Sequence, residues 1–172
     1  GVLKGDDILF NADTDAEEKP GKLYTICGNK PSEVTELFAG DIGANAKLSN
    51  TRTGDTLSTK ATQVSYAKTD FSIPYTYMKY SVKNKGDDDK VSQALAKMMA
   101  EDMTLKAVND SENRQSLLYG MGDQHLEITA SKLANRYKVE IILEMPKVAF
   151  RETIRKNSDV DTKYKKQSGG HG

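Results

Sequence analysis

The sequence predicts an α+β chain: a partial antiparallel β-barrel, then a ferredoxin-like split βαβ sandwich in the order β-α-β-β-α-β. Two changes of rhythm carry this expectation. Up to about residue 65, short β-favouring runs alternate with turn signals. Beyond residue 73, period-two runs alternate with apolar stripes of helical period. The expected division is residues 1–65 for the C-terminal part of the barrel, 66–146 for the sandwich, and 147–172 for the truncated beginning of a further domain.

In the first part the runs are Ile8-Leu9-Phe10, residues 22–26, residues 33–37 and residues 42–48, separated by Pro20-Gly21, Gly28-Asn29, Gly40-Asp41 and Gly54-Asp55. These runs suit a small barrel whose closure requires further strands. Residues 60–71 are polar and weakly patterned, and read as a linker before Ile73-Pro74.

A strand follows at residues 75–82, with Met78, Tyr80 and Val82 as the inward face. Asp87, Asp88 and Asp89 then mark a helix start, capping free amides and complementing the helix dipole. Val91, Ala94, Leu95, Met98 and Met99 form its single apolar stripe. Residues 104–109 and 114–119 read as a hairpin around Asp110-Ser111-Glu112-Asn113. A second helix is expected over 122–137, with Leu126, Ala130, Leu133, Ala134 and Tyr137 on one face, and a last strand through Val139, Ile141 and Leu143. Residues 148–154 look strand-like before the chain turns polar and basic.

Composition narrows the function classes. The chain has 172 residues, 37% hydrophobic and 29% charged, without tryptophan, as in polar-surfaced globular proteins. Basic and acidic residues both number 25, so there is no whole-chain attraction to nucleic acid and any RNA contact is local. The basic side chains Arg151, Arg155, Lys156, Lys163, Lys165 and Lys166 crowd one end, which is the better candidate for RNA contact. The single Cys27 excludes an internal disulfide, is expected as a small buried side chain, and suits a cytoplasmic protein. No apolar run approaches the ~20 residues of a membrane span, so no membrane partner is expected. Gly1 in place of methionine and the glycine-rich 168–172 suggest a chain cut at both ends.

The phosphate-binding pattern GxxxxGK[ST] is missing: the one Gly-Lys pair, Gly21-Lys22, has Ala16 five residues before it and Leu23 after it. Asp123, His125 and Glu127 lie close together, yet residues two apart on a helix do not share a face, and an acidic first turn is ordinary dipole complementation. No catalytic, cofactor-binding or metal residue is assigned. Gly120 and Gly122 flank Met121 before the second helix and permit a tight turn. Gly120, Met121, Gly122, Asp123 and His125 are therefore candidates for a domain-interface turn. Two other classes stay in view. One is a free-standing enzyme using Asp123, His125 and Glu152; the other is an RNA-binding module stacking bases on Tyr75, Tyr77 and Tyr119.

Three stretches taken together resemble elongation factor G. Residues 36–44 leading to Thr53-Gly54-Asp55-Thr56-Leu57 are similar to the end of its second domain, and residues 117–127 to the strand-to-helix signature of its third. Residues 146–154 with 167–172 resemble the opening of its fourth domain. The resemblance implies a ribosome-binding fragment of a translational GTPase that promotes GTP-dependent translocation. The fragment would couple rather than catalyse, and the GTPase activity, with its GTP and Mg, would belong to the missing upstream domain. The partners implied are rRNA, ribosomal proteins and that GTPase domain. Met103 and Asp123-Gln124 depart from the usual family pattern, which leaves a secondary paralogue or a ribosomal-protection factor of the tetracycline-resistance type as the alternative parent.

Overall fold

The computed structural model describes residues 1–162. Its first part corrects the barrel expectation: among the described residues no sheet closes on itself. Instead β1 (Val2–Lys4) pairs with β6 (Glu36–Phe38) alone. β2 (Leu9–Asn11) lies between β3 (Ala16–Glu18) and β8 (Leu57–Ser58). β4 (Leu23–Cys27) lies between β5 (Lys30–Val34) and β7 (Ala44–Asn45).

The physical reason is the shortness of these strands and the few apolar side chains they bury. Closure requires every edge to find a partner, whereas the expected strand at 42–48 shrinks to the two residues of β7. In this part only Phe10 and Leu23 are buried hydrophobics, while Ile8, Ile26, Phe38 and Ile42 stay exposed. Cys27 is also exposed, contrary to expectation, because it ends β4 beside the Gly28-Asn29 turn. Gly28, at φ 63°, takes the left-handed conformation that this two-residue hairpin turn requires.

From residue 76 onward the chain runs β9 (Thr76–Val82), α1 (Asp88–Glu101), β10 (Lys106–Asp110), β11 (Gln115–Gly120), α2 (Asp123–Lys132) and β12 (Ile141–Glu144). The four strands form one antiparallel sheet in the order β10-β11-β9-β12. Residues 78, 80 and 82 of β9 face the helices together with Ala107, Leu118, Ile141 and Leu143. Against them pack Val91, Ala94, Leu95 and Met98 of α1 and Leu126 of α2, which places both helices on one face of the sheet. Each fully buried Val, Leu or Met among them contributes roughly 1.5–3 kcal/mol.

Three local details differ from the sequence reading. The Asp87 carboxylate does not cap α1 but bonds Lys90 at 2.9 Å, leaving Asp88 and Asp89 to complement the dipole. The second helix changes to a π-helical turn over Leu133–Tyr137, which ends at Lys138 with φ 58°. That change of phase keeps Leu133 fully buried and lets the Val139 amide reach the Leu133 carbonyl. Beyond β12 the strand-like 148–154 has no partner strand among the described residues, and Val148, Phe150 and Ile154 are exposed.

Candidate functional site

The turn between β11 and α2 is built around Gly120. A Cβ at this position would lie 2.8 Å from Leu126 Cδ2 and 3.1 Å from His125 Nδ1, so the closeness of α2 to β11 depends on the missing side chain. Gly122 has an extended backbone and open space around its Cβ position, so neither conformation nor packing requires glycine there. Asp123 is exposed at the first position of α2.

His125 ties the turn to the other helix. Its Nδ1 accepts the Met121 amide hydrogen at 3.1 Å, which places the ring proton on Nε2, 3.1 Å from Asp102 Oδ2. Asp102, at the end of α1, also accepts the backbone N–H of Thr104 at 2.9 Å and its hydroxyl at 2.6 Å. The Thr104 hydroxyl is the main reason the Asp102 carboxyl is held below its ordinary pKa, with the Thr104 amide and His125 adding to it and burial opposing. Asp102 is thus a fixed anion joining the end of α1 to the start of α2.

A loop from the first part docks beside this pair. The Thr53 hydroxyl donates to the Ala100 carbonyl at 2.9 Å, satisfying one of the acceptors a helix leaves open in its last turn. Buried polar groups behind the loop fix its shape. The fully buried Asn11 donates to the Asn50 carbonyl at 3.0 Å and to Asp55 Oδ2 at 2.9 Å. Glu18 accepts from the Asn50 amide and from the Thr51 hydroxyl. The Asp55 carboxyl is held below its ordinary pKa chiefly by Asn11, then by the Arg52 amide, against the opposing effect of burial and with help from Lys68.

Between loop and helix ends lies a cleft of about 350 Å³ lined by Thr53, Phe71, Asp102, Met103, His125 and Lys132, among others. A larger cleft of about 670 Å³ opens between the small sheets, but its walls are largely apolar. Its acids Asp7 and Asp41 each accept a backbone amide, from Lys4 and Phe38. Of these two clefts, the smaller is the one bordered by interlocked polar groups. There they hold one another in place, and none stands as an activated nucleophile or free base. Among the described residues no group of three or more His, Cys, Asp or Glu side chains is disposed to hold a metal ion.

The other sequence candidates are dispersed. The Arg151 guanidinium pairs with Glu112 at 3.1 Å, and Arg155 and Lys156 are exposed. Lys163, Lys165 and Lys166, with the glycine-rich 168–172, lie outside the described residues. Tyr77 and Tyr119 stack on each other at 5.0 Å, while Tyr75 is exposed. Sequence reasoning missed Asp102, Thr104 and Thr53. An aspartate two residues before a threonine at a helix end signals the local turn, but the partnership with His125 has no local signal.

Residues 71–145 match the family described as Elongation Factor G, domain III. Among solved structures, a crystal structure of a protein from Thermus thermophilus is similar, with a TM-score of 0.71 and 28% sequence identity. The match covers 86% of this chain and 22% of that one, so the present chain spans about a fifth of that protein's length. A domain matching Elongation Factor G domain III is therefore present in this chain.

Proposed function

We propose, with an Elongation Factor G domain III at residues 71–145 as the starting point, that the chain is a ribosome-binding coupling segment of a translational GTPase promoting translocation. In this reading the chain does no chemistry. A GTPase domain elsewhere in the parent holds GTP and Mg, and the segment transmits its state to the ribosome in the cytoplasm. The working division is 1–65, 66–146 and 147–172, with Arg151, Arg155 and Lys156 reaching rRNA phosphates by charge.

The observation that carries the reading is the joint at the smaller cleft. Thr53 of the loop meets Ala100 of α1, and Asp102 at the end of α1 meets His125 of α2. The Thr53–Ala100 bond crosses from the first part to the second and the Asp102–His125 contact continues it between the two helices of the second; directional hydrogen bonds of this kind can transmit a displacement when they have two arrangements. The test is sedimentation of the full-length parent with ribosomes, with a non-hydrolysable GTP analogue or with GDP. Binding favoured by the analogue is expected. Absence of binding in both states refutes the ribosomal reading, and binding without translocation activity assigns the parent to the ribosomal-protection or paralogue class.

A further inference from the structure

The side of the four-stranded sheet away from the helices carries a polar side chain in an unusual place. Gln115, the first residue of β11, is only 5% exposed and shares that side with Leu117 and Tyr119. Its carboxamide makes two bonds to one backbone residue: Nε2 donates to the Lys147 carbonyl at 2.8 Å, and Oε1 accepts the Lys147 amide hydrogen at 2.9 Å. The second hydrogen on Nε2 goes to Asp110 Oδ2 at 3.0 Å. Asp110 in turn gathers the hairpin turn through the Glu112 and Asn113 amides and the Asn113 side chain. Both donors and one of the two acceptor positions of this amide are thus directed by the fold.

A donor and an acceptor offered together to one residue's C=O and N–H reproduce what a neighbouring strand offers. Gln115 therefore stands in for a strand at the point where the chain has left β12 and has no further ladder partner among the described residues. A few residues on, Arg151 pairs with Glu112 of the same hairpin, a second tether. Val148 and Phe150, which lie between the two tethers, are exposed.

We infer that Gln115 is a positioning residue, a side-chain latch that fixes the direction in which the chain leaves the sheet toward the basic 151–156. The mechanical purpose of such a latch rests on the coupling function proposed above; its existence as a physical clamp does not. An aimed exit transmits a tilt of the sheet to whatever follows, whereas an unlatched one swings at Pro146-Lys147.

The test uses the 172-residue chain and needs no ribosome, so failure of the latch and failure of the ribosomal reading are separable. Amide exchange read by NMR is expected to show Lys147 exchanging about tenfold or more slower than Val148 and Ala149, as loss of a net-favourable bidentate pair implies. Gln115→Leu is expected to bring Lys147 to its neighbours' rate while β9 and β12 amides keep theirs. If that variant does not fold, Lys147→Pro removes the donor at an exposed position. Trypsin cleavage after Arg151 then accelerates about fivefold at unchanged Tm, because one of the two bonds of the pair is lost while the residue-147 carbonyl can still accept from Gln115. Equal exchange of Lys147, Val148 and Ala149 in the unmodified chain overturns the inference, and so does an unchanged cleavage rate in Lys147→Pro.

Discussion

Adding one methyl group at Gly120 tests the geometry of the β11–α2 turn. The new Cβ would sit 2.8 Å from Leu126 Cδ2 and 3.1 Å from His125 Nδ1, against an ordinary carbon–carbon separation of ~3.5–4 Å. Leu126 is fully buried in the core and has no open side toward which to turn. His125 is held by the Met121 amide on one nitrogen and Asp102 on the other. About 1 Å of relief must therefore come from moving α2 off the sheet. Overpacking of this kind costs about 1–3 kcal/mol, and we expect Gly120→Ala to lose about 2 kcal/mol in urea unfolding, with Tm lowered by roughly 4–8 °C for a chain of this size. Gly122→Ser is the matched control: it meets no atom, and it offers a cap oxygen where α2 has no side-chain cap. Its stability should lie within about 0.5 kcal/mol of the unmodified chain, on the stabilising side. A Gly120→Ala variant as stable as the parent, or a Gly122→Ser variant equally damaged, refutes the packing described.

Two further outcomes follow from the same structure. Asp55 is lowered below its ordinary pKa of 3.8 in the folded chain, so its contribution is complete above that value and is lost as the pH falls through the lower folded pKa. Thermal unfolding against pH should show stability falling only below about pH 4 on this count, with a shallower acid limb in Asp55→Asn. Lys138 ends the π-helical turn in the left-handed region, where a side chain costs ~1–2 kcal/mol. Lys138→Gly should therefore gain roughly 0.5–1 kcal/mol after the added backbone entropy of glycine, measured by the same urea titration.

What is legible in the sequence is what is encoded locally. The alternation of Met78, Tyr80 and Val82 and the stripe Val91, Ala94, Leu95 and Met98 identify their inward faces without reference to anything distant. Even there, the π-helical phase change leaves no mark in the apolar pattern, and Thr129 is more deeply buried than Ala130, its hydroxyl satisfied by the His125 carbonyl at 2.8 Å. The barrel expectation fails because closure is a property of pairings far apart in sequence, such as Val2 with Phe38, and the same turn signals serve open sheets. The joint is half legible: glycines around Met121 mark a turn, but the Asp102–His125 contact and the Thr53–Ala100 bond join residues with no common local pattern. The Gln115 clamp is invisible for the same reason, since a glutamine opening a strand carries no mark of the backbone it will hold.

The proposed coupling function stands or falls on the joint in its natural setting. The decisive measurement is ribosome co-sedimentation of the full-length parent carrying Thr53→Ala and His125→Ala together, compared with the unmodified parent, each with a non-hydrolysable GTP analogue and with GDP. If the joint transmits nucleotide state, the double variant still binds the analogue in solution, yet its preference for the ribosome in that state falls toward the level seen with GDP. An undiminished preference in a folded double variant would contradict coupling through this joint.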